Sequence, residues 1–170
     1  MADIYLISDT HFGHENMYRF LGLDGLTRVR HKFKDAAEGD SFMVAAWNRV
    51  VRQRDHVYHL GDVAFGPVDI VRQLNGHKRL VLGNHDFPKM AGYHAAGFQK
   101  IFGMRRLGGL WLTHAPLHSS VLGGKVIGNV HGHIHERASP PGKYVNVSVE
   151  QIDYTPIALD VVLERLKGLD

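Results

Sequence analysis

Three times in its first half, this chain runs a short apolar strand into a polar cluster. Ile4-Tyr5-Leu6-Ile7-Ser8 stops at Asp9-Thr10-His11, His56 to Leu60 stops at Gly61-Asp62, and Lys78 to Leu82 stops at Gly83-Asn84-His85-Asp86. Strands interleaved with helices build an open α/β sheet, and such sheets bind ligands at the carboxyl ends of their strands. The second half adds Thr113-His114 at the end of a strand from about Leu110, and His131-Gly132-His133-Ile134-His135 after a strand from Val126 to Val130. If these five ends converge, the pocket holds two aspartates, one asparagine and several histidines.

The intervening segments support that frame. A helix is expected from Gly39 to Arg54, where Phe42, Val44, Ala45, Val50 and Val51 interleave with polar residues. Pro67 to Leu74 reads as a second helix with proline in its first turn. Strands at Leu110–Thr113, Val126–Val130 and Tyr144–Val149 are separated by glycine or Pro-Pro-Gly turns, and Ile157 to Lys167 passes from strand to helix. An alternating first half and a strand-rich second half imply two packed sheets flanked by helices. The 170 residues suffice for one domain, 1–170, with its own core.

Composition narrows the chemistry. Cysteine is absent, so there is neither a disulfide framework nor a thiolate metal site. No apolar run is long enough to cross a membrane and no secretory pattern follows Met1, so a soluble cytoplasmic protein is expected. A net charge of +3 suits a phosphate-bearing substrate and falls far short of a nucleic-acid-coating surface. The 13 histidines nearly match the 17 acidic residues, and metal ligation is the leading explanation. Mixed imidazole and carboxylate donors favour manganese, iron, zinc, cobalt or nickel over calcium. Asp-x-His and His-x-His spacings place both side chains on one side of an extended segment. Asp62 has two oxygens and can bridge two ions, while the glycines beside Asp62, Asn84 and His133 allow tight turns around them. Each motif alone is common; the ordered set at successive strand ends is not.

That ordered set, Asp9-x-His11, Gly61-Asp62, Gly83-Asn84-His85-Asp86, His114 and Gly132-His133-x-His135, resembles the signature of the calcineurin-like metallophosphoesterases. The stretches Ser8 to Asn16, Val57 to Asp62 and Asn146 to Glu150 are similar to a small single-domain branch of bacteria and phages. The resemblance implies a four-layer αββα sandwich with two mixed sheets. It implies two divalent ions, manganese first, with iron, zinc, nickel, cobalt or magnesium as alternatives. Asp9, His11 and His135 would hold one ion, Asn84, His114 and His133 the other, with Asp62 shared. His85 would be the general acid, and Asp86 would orient it. Paired ions offset phosphate charge and activate water, and His85 would protonate the leaving oxygen.

His14, Arg28, Arg30 and His118 are candidate substrate contacts; Arg28 and Arg30 belong to a basic run, Arg28 to Lys34, in the long connection before Asp62. His56, His59 and His131 read as structural or as supports behind the metal ligands, and Trp47 and Trp111 as core. The expected reaction is hydrolysis of a phosphodiester, a cyclic nucleotide or a nucleic-acid end, with a phosphomonoesterase as the nearest alternative. A non-catalytic interaction module would tolerate missing ligands, and none is missing. A mononuclear hydrolase of amides would not need a shared Asp62.

Overall fold

The computed structural model describes residues 2–169. Five strands form the first sheet: β1 (Ile4–Ile7), β2 (His56–His59), β3 (His77–Val81), β4 (Phe98–Phe102) and β9 (Ile157–Ala158). Its order is β4-β3-β2-β1-β9, parallel from β1 to β4, with β9 antiparallel to β1 at the edge. The second sheet has β5 (Arg105–Leu107), β6 (Leu110–Leu112), β7 (Gly128–His131) and β8 (Tyr144–Asn146) in that order. There β5 and β6 are antiparallel, while β6, β7 and β8 are parallel. This is the expected α/β fold with two mixed sheets.

Parallel pairing is what gathers the site. The carboxyl ends of β1, β2 and β3 share one edge, as do those of β6 and β7. Ser8 ties the two edges together. Its N–H donates to Val147 O at 2.9 Å, and its carbonyl accepts from Val149 N–H at 3.1 Å. Leu6, Val57, Leu80, Leu112, Val130 and Val147 are fully buried and belong to one apolar core, with Leu6 on one face of the first sheet and Val57 and Leu80 on the other.

The helix expected from Gly39 to Arg54 is α1 (Ala36–Val50), shifted toward the N-terminus at both ends. Asp35 caps it by accepting from Glu38 N–H at 3.0 Å, and Glu38 reaches back to Lys34 N–H. It stops early because Asp55 captures Arg52 N–H and Asp3 N–H with its two oxygens, which turns the chain into β2. The expected helix at Pro67–Leu74 is a 3-10 turn, Val68–Gln73. Helix α2 (Met90–Ala96), closed by Gly97 at φ 113°, and strands β4 and β5 were not anticipated: a seven-residue helix and exposed edge strands carry too little periodicity. The passage from β9 into α3 (Leu159–Lys167) matches expectation. Among the described residues, no helix is long and apolar enough to cross a membrane.

Candidate metal centre

Seven described non-glycine residues have left-handed backbone, and five of them are Asp9, His11, Asp62, His133 and His135, at φ 58°, 48°, 54°, 71° and 50°. Each such residue costs about 1–2 kcal/mol relative to ordinary backbone, and strain of this kind concentrates at functional sites. The finding corrects the picture of extended Asp-x-His and His-x-His segments. In the left-handed region the side chains leave the strand's two-residue alternation: Asp9 and His11 still share a cluster, while His133 and His135 join different ones.

The first cluster is Asp9, His11 and His135; the second is Asp62, His114 and His133. Asp62 Oδ2 sits between them, 3.7 Å from His11 Nε2 and 3.5 Å from His114 Nε2. Asn84 Oδ1 and His133 Nδ1 both approach His114 Nε2, at 2.9 and 3.1 Å, so three donor atoms face one point. Asp9 Oδ1 and both ring nitrogens of His11 are buried without a hydrogen-bond partner among the described residues. Buried polar atoms are rarely left so, and a carboxylate oxygen beside imidazoles is a donor set that divalent transition metals take. The residues fit two such ions.

Surrounding contacts settle how the donors are presented. His114 Nδ1 lies 2.8 Å from Leu60 O, which holds its proton there and leaves Nε2 free to ligate. His135 Nδ1 lies 3.1 Å from Glu150 Oε2, with the same consequence for its Nε2. Asp9 Oδ2 accepts from His133 N–H and Ser148 Oγ, which aims Oδ1 at the cluster. Gly132 must be glycine, because a Cβ there would overlap Ser8 Oγ and Asp9 Oδ2. At Gly83 a Cβ would meet the Asp62 carboxylate.

The clusters call for positive charge. Burial would raise the Asp62 carboxyl, yet His114 and His11 hold it below the ordinary range. Asp9 is likewise held low against its own burial by His11, His114 and His135. Burial works against a charged His114, but Asp62 and Asp9 still carry it up to about 8. A proton or a metal ion can meet that demand.

The remaining candidate residues divide. His85 is exposed at the rim; its N–H donates to Asp62 Oδ1 at 3.0 Å and its Nε2 lies 4.0 Å from Asp62 Oδ2. Asp86 has no hydrogen bond to the His85 ring, contrary to expectation. Its oxygens are occupied by Asp62 N–H, Val63 N–H, Gly83 N–H and the Tyr93 hydroxyl, so it shapes the turn that carries Asp62. His14 lines the cavity, stacked on Phe65 at 3.8 Å, and burial, with help from His11, pushes it down to about 4. Arg30 is no substrate contact: it is fully buried and ion-paired with Glu150 at 2.9 Å. Arg28 turns back to donate to Tyr18 O at 3.2 Å, and His118 caps a 3-10 turn through Ser120 N–H; neither lines the cavity. A long cationic side chain near the site in sequence is drawn to the nearest unpaired carboxylate or carbonyl, which here lies in the protein itself.

With this geometry in place, comparison with known proteins is decisive. A model of the calcineurin-like phosphoesterase family matches residues 2–164. The chain belongs to that family. As a calcineurin-like phosphoesterase it is 32% identical to the uncharacterized protein MJ1445 of Methanocaldococcus jannaschii, over 98% of this chain and 93% of the relative. It is 33% identical to the gene 66 protein of Mycobacterium phage L5 over 52% of this chain and 42% of that protein. The crystal structure of AQ665, a protein of unknown function from Aquifex aeolicus, shares the fold with a TM-score of 0.74. That match has 24% identity over 97% of this chain and 100% of the other.

Sequence reasoning passed over Glu150, Ser148, Phe65 and the hairpin around residues 20–28 in this family member. Glu150 and Ser148 stood in the quoted stretch Asn146 to Glu150, so a signal existed without a role attached to it.

Proposed function

We propose that this protein is a two-metal phosphoesterase that hydrolyses phosphodiesters by attack of water. The observation that carries the reading is the pair of touching donor clusters around Asp62 Oδ2, with orphaned Asp9 Oδ1 and His11 nitrogens. Asp9, His11 and His135 would hold one ion, and Asn84, His114 and His133 the other, with Asp62 common to both. Bound there, two divalent ions, manganese first, supply charge compensation for the phosphoryl group and a nucleophile from water at neutral pH.

The chain's own side chains do the rest. His85 stands exposed at the mouth and donates a proton to the leaving oxygen, while Asp62 Oδ1 fixes its backbone. Asp86 keeps Asp62 in place. Arg137 is the one lysine or arginine among the residues lining the cavity, which suits the single charge of a diester better than a monoester dianion. A cytoplasmic setting agrees with a chain that has no cysteine.

The test is hydrolysis of bis-p-nitrophenyl phosphate and p-nitrophenyl phosphate after metal removal and readdition of Mn, Ni, Zn or Mg, with bound metal counted. Metal-dependent turnover with two ions per chain, lost in Asp62→Ala, is expected, with the diester preferred. Full activity in Asp62→Ala, or a single ion at saturation, would overturn the reading; monoester preference would move the substrate to phosphomonoesters.

A further inference from the structure

The cavity over the metal centre has a volume of about 620 Å³, and much of its wall is not catalytic at all. Met17, Phe20, Leu21, Val29, Phe65 and Ile134 line it beside the histidines. Phe20 and Leu21, 49% and 54% exposed, bring apolar surface to the rim of that cavity.

These residues are held, not loose. Phe20 and Leu21 open a hairpin: Phe20 O accepts from Val29 N–H at 2.9 Å, and Leu21 pairs antiparallel with Arg28. Asp24 Oδ1 closes the tip by accepting from Leu26 N–H and Thr27 N–H, both at 2.9 Å. The Phe20 ring meets His14 edge-on at 6.0 Å, and His14 stacks on Phe65, so aromatic surface runs unbroken from the hairpin to His11, which stacks on Phe65 at 5.1 Å.

We propose that this wall is a subsite for the organic part of the substrate, and that this part is flat and apolar, an aryl group. The inference rests on the phosphoesterase reading and narrows its substrate class. A sugar or polyol ester would leave its hydroxyls facing Phe20, Leu21 and Val29 without partners, a desolvation loss that apolar walls do not compensate. A second phosphate group would find Arg137 alone among the lining lysines and arginines. An aromatic face, by contrast, gains stacking and burial along the whole run.

The experiment compares methyl p-nitrophenyl phosphate with phenyl p-nitrophenyl phosphate on the manganese-loaded protein. The leaving group is common to both, so the ratio of kcat/KM reads the wall. A phenyl preference of at least about tenfold is expected, the discrimination that a few buried apolar carbons give. It should fall to about threefold or less in Phe20→Ala and in Leu21→Ser, and persist in Leu26→Ser, whose side chain lies outside the cavity. No preference in the wild type, or an unchanged one in both cavity variants, overturns the subsite while leaving the phosphoesterase standing. If neither ester is cleaved, that reading fails, and calorimetric binding of phenylphosphonate against methylphosphonate judges the subsite. Tighter phenyl binding that is lost in Phe20→Ala supports it, and equal binding overturns it.

Discussion

Arg30 and Glu150, 120 positions apart, form an ion pair of 2.9 Å with side chains 0% and 4% exposed. Both partners continue into the candidate metal centre. Arg30 donates to the carbonyls of Asp9 and Thr10, and Glu150 Oε2 meets His135 Nδ1. One buried pair therefore positions the backbone of Asp9 and the ring of His135. Burial would raise the Glu150 carboxyl, and the Arg30 guanidinium is the main cause holding it low.

Removing one partner leaves the other charge buried. Arg30→Met should cost about 3–5 kcal/mol in urea denaturation, and Arg30→Met combined with Glu150→Leu should recover part of it. A double variant less stable than Arg30→Met would contradict a penalty that arises from an unpaired carboxylate. Glu150→Gln, read by metal titration, should weaken binding at the Asp9 cluster by about 10–100-fold, as loss of a ligand's orienting partner does.

His85 and Asp86 should separate cleanly. His85→Ala should keep the metal count and the melting temperature, since the ring is exposed. It should lose about 10²–10⁴-fold in kcat on alkyl diesters and much less on p-nitrophenyl esters, whose leaving group needs no proton. Asp86→Ala should instead lower metal content, because three backbone N–H groups and the Tyr93 hydroxyl lose their acceptor. Equal metal loss in both variants would rule out this division.

Gly132→Ala should destabilise by about 1–3 kcal/mol or more through overlap with Ser8 and Asp9. Gly123→Ala, where an added Cβ meets nothing within 4 Å, should change stability by less than about 0.5 kcal/mol. Thermal unfolding of the two side by side decides whether close approach, and not loss of glycine as such, is the cause.

Asp40 carries a pH signature outside the metal centre. Its Oδ2 accepts from Gly13 N–H at 2.8 Å, and burial pushes its carboxyl up to about 6, against the pull of that hydrogen bond and of Arg30. An acid with a raised folded pKa binds more protons folded than unfolded. Its contribution therefore falls as pH rises from 3.8 to about 6, and stays low above. Asp40→Asn keeps an acceptor without the charge. It should stabilise at pH 7 by about 1 kcal/mol, allowing for solvent screening, with the gain gone near pH 4. A gain of equal size at both pH values would assign it to packing.

Manganese should raise the melting temperature, and a chelator should lower it. At a hundredfold excess over Kd the gain is about 2.7 kcal/mol per site, offsetting the strain held in five left-handed ligand residues. His11→Ala should abolish most of that response at the Asp9 cluster. An unchanged melting curve across metal concentrations would mean that the clusters are not metal sites.

The order of residues already carried the α/β frame and the positions that meet at the strand ends. Strands announce themselves by apolar runs, and few residue types can serve as metal donors, so Asp9, His11, Asp62, Asn84, His114, His133 and His135 stood out in one dimension. The fate of Arg30 did not. Its basic neighbourhood suggested a surface, and a carboxylate 120 residues away drew it into the interior. Nor did the left-handed turns at His133 and His135: their spacing put both side chains on one side, and only the family resemblance assigned them to different ions. Local pattern reports what each residue prefers among its neighbours in the chain. Pairing across the sheets, the saturation of Asp86 and the apolar wall at Phe20 follow from which distant groups arrive at the same place, and burial then sets what each of them can do.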